Sequence, residues 1–331
     1  MPASRPVWTN LAAALAVLFG LWFAAPAMAQ QVNPTTSAVQ EQQLLKQLRT
    51  VEGRVSIPDT KSGVLIQPGG DWRALHDGTL AWVTSIAVLG MLALLLLFYT
   101  VRGRIMIEAG LSGLKILRFN SFERLVHWIT ALCFMVLAIS GLNVSFGRYL
   151  LMPLIGADAF AAFSHYGKLA HNFLAFPFMV GLVLMLLIWI VDNIPNRVDV
   201  AWFKAGGGLL GKGHPPAGKF NGGQKMIFWS VIIGGGLLSA SGLLLLFPFW
   251  GTGIADMQLA QIIHALISAG LIAVMLAHIY IGSIGMEGAF DAMGSGEVDL
   301  NWAREHHSLW VEQEKARGRT PQVPPNAVAA E

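Results

Sequence analysis

Two histidines, His264 and His278, stand inside one apolar run, residues 260–286. At about 100° and about 1.5 Å per residue, a helix puts both rings on one face, about 21 Å apart along its axis. A hydrocarbon core about 30 Å thick would then hold one ring near each edge. Ionisable side chains are costly in lipid unless they face the bundle interior and find a partner. The chemistry this spacing offers is axial ligation of two haems stacked across a bilayer. The alternative is a pair of imidazoles hydrogen-bonded to neighbouring helices. Haem requires two more histidines, at matching depths.

The elements that would position them are membrane spans. Of 331 residues, 54% are hydrophobic and 12% charged, against about 25% charged in an average soluble chain. A net charge of +3 spread over loops offers no clustered basic face, so no nucleic-acid partner is expected. The single cysteine, Cys133, rules out a disulfide framework, a Cys-ligated iron–sulfur cluster and a Cys-rich zinc site within this chain.

Residues 1–29 read as a secretory signal peptide. Arg5 precedes a short apolar stretch, and Ala27-Met28-Ala29 is a small-residue cleavage pattern; a retained first helix is the alternative. Residues 30–79 form a polar arm broken by Pro58, Pro68, Gly69 and Gly70. Residues 80–101 are long enough to span and end at Arg102 and Arg104, which the positive-inside rule assigns to the cytoplasm, with Lys115, Arg118 and Arg124 after them.

Further spans are expected at residues 122–144, 165–191, 226–247 and 260–286. With the mature N-terminus periplasmic, His127 and His278 fall near the inner face, and His171 and His264 near the outer face. Depth therefore pairs His127 with His278 and His171 with His264. His76, His165, His214, His306 and His307 are left to loops, helix ends and the cytoplasmic tail, residues 291–331. Gly141, Gly181 and Gly270 either make room for haem or serve close helix packing.

A cytoplasmic loop, residues 192–225, ends in Asn221-Gly222-Gly223-Gln224-Lys225. Amides and flexible backbone at the membrane surface, level with His278, offer donors to a quinone carbonyl. The same residues suit a helix start, where the first N–H groups need partners.

Several segments together resemble the gamma subunit of respiratory formate dehydrogenases, a di-haem cytochrome b. They are Arg124-Leu-Val-His127-Trp128, Asn193-Ile-Pro-Asn196 with Asp199 and Trp202, residues 219–229, Ile263-His264-Ala265, His278-Ile-Tyr280, and Trp302-Ala-Arg-Glu-His306-His307-Ser-Leu-Trp310. The resemblance covers roughly residues 115–317; the first 115 residues depart from it. It implies an all-α integral membrane protein, a four-helix transmembrane di-haem cytochrome b bundle (residues 102–290) with one extra N-terminal transmembrane helix. It implies two haem b cofactors on His127, His171, His264 and His278, in the same pairs, and a quinone site at Asn221, Gly223 and His278, beside which Gln224 is a further donor.

The implied partners are an iron–sulfur subunit and a molybdenum- or tungsten-containing catalytic subunit, both outside the bacterial cytoplasmic membrane. Formate oxidation would lie on the catalytic subunit. Electrons would run from the outer haem to the inner one and on to quinone, against a negative-inside potential worth about 2.3 kcal/mol per 100 mV. The motifs at residues 219–229 and 302–310 favour this family over the cytochrome b of a membrane hydrogenase or thiosulfate reductase. A proton-coupled transporter using intramembrane histidines is the alternative of another class. Arg124, one turn before His127, either sets topology or meets inner-haem propionates. Redox titration of Arg124→Ala separates the two: a shifted inner-haem potential is expected for propionate contact, an unmoved one for a purely topological arginine.

Overall fold

The computed structural model describes residues 72, 74–208, 213–248, 251–319 and 321–322. The expected signal peptide and most of the arm, to residue 71, lie outside the described residues, as do residues 323–331. Five helices are long and apolar enough to cross a membrane, and the chain is a multi-pass, all-α membrane bundle. These are α1 (Ala81–Arg102), α2 (Ser121–Leu150), α3 (Ala157–Trp189), α5 (Gly222–Leu246) and α6 (Ile254–Tyr280). A π-helical turn, Ala74–Leu80, leads into α1, and another, Ile281–Gly285, extends α6. Outward residues such as Leu89, Ile139, Val180 and Ile233 are exposed and apolar, as a lipid-facing surface requires.

Three helix starts at one end of the bundle share a device. Asn120 accepts from the backbone of Glu123, whose carboxylate accepts in return from Asn120 N–H. Asn196 and Asp199 repeat this at α4 (Arg197–Lys204), and Asn221 and Gln224 at α5. These boxes satisfy orphan N–H groups reciprocally and fix where each helix begins. They also correct an expectation. Because Asn221 caps α5, Gly223 and Gln224 belong to the helix and not to the loop before it, which itself contains α4.

Small residues let the spans approach. A Cβ on Gly181 of α3 would lie 2.1 Å from Thr130 Oγ1 of α2, and one on Gly235 of α5 would lie 2.8 Å from Leu182 of α3. In lipid, where no hydrophobic drive joins helices, this close packing is a main source of association.

The same end carries a compact cap. Strand β1 (Lys115–Leu117) pairs antiparallel with β2 (Glu297–Asp299), Lys115 opposite Asp299. After β2 come α7 (Leu300–His306) and α8 (Ser308–Ala316), whose Trp302, Trp310 and Val311 pack with Phe119, Trp189 and Phe228. Gln322 pairs with Lys115, and the described residues 291–319 and 321–322 form a folded lid over this end. The reason is tertiary: apolar residues from both ends of the core share one cluster.

Arg118 is buried in that cluster. Its guanidinium lies 5.3 Å from the ring centres of Phe119, Trp302 and Trp310 and donates to Lys219 O at 2.5 Å. Burial lowers its pKa to about 9. Burial alone would raise the Asp299 carboxyl, but hydrogen bonds from Ser112, Asn301 and Gly113 hold it below its ordinary value. His307 is 1% exposed and donates from Nδ1 to Gly218 O at 2.8 Å. Burial, with His214 and Arg118 nearby, pushes His306 from 6.5 down to about 4, and burial with Arg118 also drives His307 well below 6.5.

Both histidines therefore stay neutral in the docked lid while an undocked lid takes up protons below pH 6.5. The stability that the two neutral histidines lend the docked lid is complete above that value and is lost progressively as pH falls below it, for His306 down to about 4. Hydrogen–deuterium exchange over residues 300–311 should accelerate across this window, and His306→Gln combined with His307→Gln should flatten the acid response.

Candidate functional site

The four histidines expected to pair do meet across helices. His127 of α2 faces His278 of α6 with ring centres 6.2 Å apart, and His171 of α3 faces His264 of α6 at 6.3 Å. Metal–imidazole bonds of about 2.0–2.1 Å, with each nitrogen about 1.1 Å from its ring centre, set a separation of about 6.3 Å across one metal ion. Both ring-centre separations are compatible with one metal ion between the rings. Among the described residues no group of three or more His, Cys, Asp or Glu converges on one point. Two imidazoles suit a metal whose other four ligands come with it, as in a porphyrin.

Around the His171/His264 pair the second nitrogens are occupied. Ser140 Oγ of α2 lies 2.8 Å from His171 Nδ1, and Ser241 Oγ of α5 lies 3.0 Å from His264 Nδ1. A glycine follows each serine. A Cβ on Gly141 would sit 3.6 Å from His171 Cε1, and one on Gly242 would sit 3.3 Å from His264 Cε1. Sequence reasoning missed both serines, although the repeated Ser-Gly pairs at 140–141 and 241–242 were visible.

Around the other pair the pattern differs. His127 Nδ1 is buried with no hydrogen-bond partner among the described residues. Trp128 packs against the His127 ring and donates from Nε1 to Met293 O at 2.8 Å, tying α2 to the lid. Arg124 donates to Gly294 O at 2.6 Å and to Ser121 Oγ at 3.4 Å, and its Nε is buried without a partner.

The three glycines take separate roles: Gly141 lies beside His171, Gly181 packs against Thr130, and Gly270 has open space around a Cβ. Asn221 and Gln224 spend their side-chain oxygens in the α5 cap, and Gln224 Oε1 also accepts from Arg118 at 3.4 Å. Gly223 is covered by Trp202 of α4, which a Cβ would meet at 2.9 Å. The His165 ring meets Tyr166 edge-on, and exposed His76 lies 2.8 Å from Asp77, so neither joins the pairs.

Residues 118–296 match the prokaryotic cytochrome b561 family. The chain belongs to that family. It is also 31% identical over 202 residues to the formate dehydrogenase cytochrome b556(fdo) subunit of Escherichia coli K12, covering 60% of this chain and 92% of that protein. To the nitrate-inducible formate dehydrogenase cytochrome b556(Fdn) subunit of the same strain it is 30% identical over 212 residues, covering 62% and 94%. The Haemophilus influenzae formate dehydrogenase cytochrome b556 subunit is 26% identical over 206 residues, covering 60% and 84%. Membership of the cytochrome b561 family implies a b haem, and the spacing of both imidazole pairs accommodates one.

The bundle holding those pairs depends on the contact between α2 and α3. Gly181→Ala should cost about 1–3 kcal/mol, because its Cβ overlaps Thr130 Oγ1 and the helices must part. Thr130→Ala in the same chain should restore most of the loss. Thermal unfolding of the single and double variants in detergent measures both.

Proposed function

We propose that this chain is the cytochrome b subunit of a formate dehydrogenase, anchoring the complex in the bacterial cytoplasmic membrane. The observation that carries the reading is the pair of cross-helix imidazole couples at one-iron spacing, in a chain that covers 92–94% of the Escherichia coli subunits. In this reading His171 and His264 hold the outer of two b haems, and His127 and His278 hold the inner one. When bound, the haems supply one-electron carriers that link the two membrane faces. The chain orients the imidazoles, excludes water with apolar helices and leaves no open coordination position, which suits electron transfer and not oxygen chemistry.

Orientation follows from charge. Arg102, Arg104, Lys115, Arg118, Arg124, Arg197, Lys204, Lys219 and Lys225 gather at the lid end, and the positive-inside rule puts that end in the cytoplasm. The opposite end then meets the iron–sulfur subunit, with the molybdenum- or tungsten-containing subunit beyond it.

The NH2 groups of Asn221 and Gln224, with Gly223 and His278, form the quinone site. Their support is position: they stand at the start of α5, at the end where α6 carries His278, and the cap engages their side-chain oxygens and not their NH2 groups. Formate dehydrogenase is favoured over a hydrogenase partner by the identity to two formate dehydrogenase subunits.

Haem quantification and a reduced-minus-oxidised spectrum of the purified protein provide the test. Two b haems are expected per chain, one lost from His127→Ala or His278→Ala and the other from His171→Ala or His264→Ala. A folded wild type without haem would overturn the cytochrome reading. Co-purification with hydrogenase subunits would overturn the formate dehydrogenase assignment.

A further inference from the structure

We propose that Ser140 and Ser241 are matched positioning residues that set the redox potential at the His171/His264 pair below that at the His127/His278 pair. This rests on the ligand assignment just made and goes beyond it, because it assigns a direction of electron flow to two hydroxyls.

Each serine lies one turn after a backbone carbonyl that takes its proton. Ser140 Oγ donates to Val136 O at 2.6 Å, and Ser241 Oγ donates to Leu237 O at 2.7 Å. This back-bonding is how an isolated hydroxyl satisfies itself in an apolar helix. It leaves the oxygen lone pairs pointing away from the carbonyl. The nitrogens found there, His171 Nδ1 at 2.8 Å and His264 Nδ1 at 3.0 Å, must then be the donors, with the carbonyls of Leu137 and Leu238 as further backbone acceptors beside the hydroxyls. Both serine side chains belong to residues that are buried, at 6% and 4% exposure, so water does not compete for these bonds.

Two consequences follow for the imidazoles. The proton is fixed on Nδ1, so Nε2 carries the lone pair that a metal needs. Donation from Nδ1–H also raises the basicity of Nε2. A more basic ligand pair favours the ferric over the ferrous state and so lowers the potential. The arrangement is duplicated: one serine comes from α2 toward α3, the other from α5 toward α6, each followed by a glycine that lets the imidazole lie against the backbone.

The inner pair has no such bonds. His127 Nδ1 is buried and unpartnered among the described residues, and no side chain or backbone group of the described residues bonds the His278 ring in the way the serines bond His171 and His264. The asymmetry makes the inner site the more easily reduced of the two, so the chain's own hydrogen bonds slope the path from the His171/His264 end toward the His127/His278 end.

The experiment is an optical redox titration of the purified holoprotein, comparing wild type with Ser140→Ala, Ser241→Ala and the double variant. The conservative variants Ser140→Thr and Ser241→Thr keep the hydroxyl, and Ser239→Ala removes a hydroxyl of α5 that bonds only Gly235 O. The lower of the two midpoint potentials should rise in each Ala variant, rise further in the double variant, and return in the Thr variants. The higher potential and the Ser239→Ala titration should match wild type. If an Ala variant loses one haem, Ser140→Thr and Ser241→Thr with wild-type potentials support the proposal, and Thr variants with both haems but potentials displaced despite the retained hydroxyl count against it. Unmoved potentials with two haems retained would overturn it, as would equal shifts in Ser239→Ala. Retention of both haems in His171→Ala would instead overturn the ligand assignment beneath it.

Discussion

A neutral imidazole buried among lipid-facing helices has two ring nitrogens, and both need partners that the bilayer cannot supply. The rest of this bundle follows from meeting that demand in pairs. Helix α6 carries His264 and His278 on one face, so α2 and α3 must each bring a histidine to it at the right height. That requirement fixes their relative translation, and Gly181 and Gly235 let the backbones come close enough to satisfy it.

The meeting of the histidines in two pairs was legible because it depends on numbers that sequence contains. Helical rise gives the distance between His264 and His278, and the alternation of spans gives depth, so the pairing needs no tertiary knowledge. The family match covers the same ground, residues 118–296. What was not legible depends on which residues meet across helices. Ser140 and His171 are separated by 31 positions, and Ser241 and His264 by 23, and nothing in local pattern links them. Gly181, read as either cofactor room or packing, turned out to be packing only because Thr130 faces it.

The lid was the larger surprise. In sequence, residues 291–322 are polar with scattered tryptophans, a composition that suits a solvated tail. In the fold they complete a core with residues almost two hundred positions earlier: Asp299 receives Ser112, and Glu305 receives the backbone of Glu108 and Ala109. His306 and His307, left unassigned from sequence, are interior residues of that core. A charged residue such as Arg118 is tolerated there because three aromatic faces and a carbonyl replace its water.

The lid also constrains biosynthesis. Strand β2 and helices α7 and α8 are made after all five spans, whereas Ile107 and Phe119, which they cover, are made before four of those spans. All five helices can enter the bilayer while the end bearing His127 and His278 is still unsealed, since Trp128 has no Met293 carbonyl to grip until then. Closure thus waits on residues made after the last span. A chain ending after α6 would lack Met293 and all of β2, α7 and α8, and so could not close that end of the bundle.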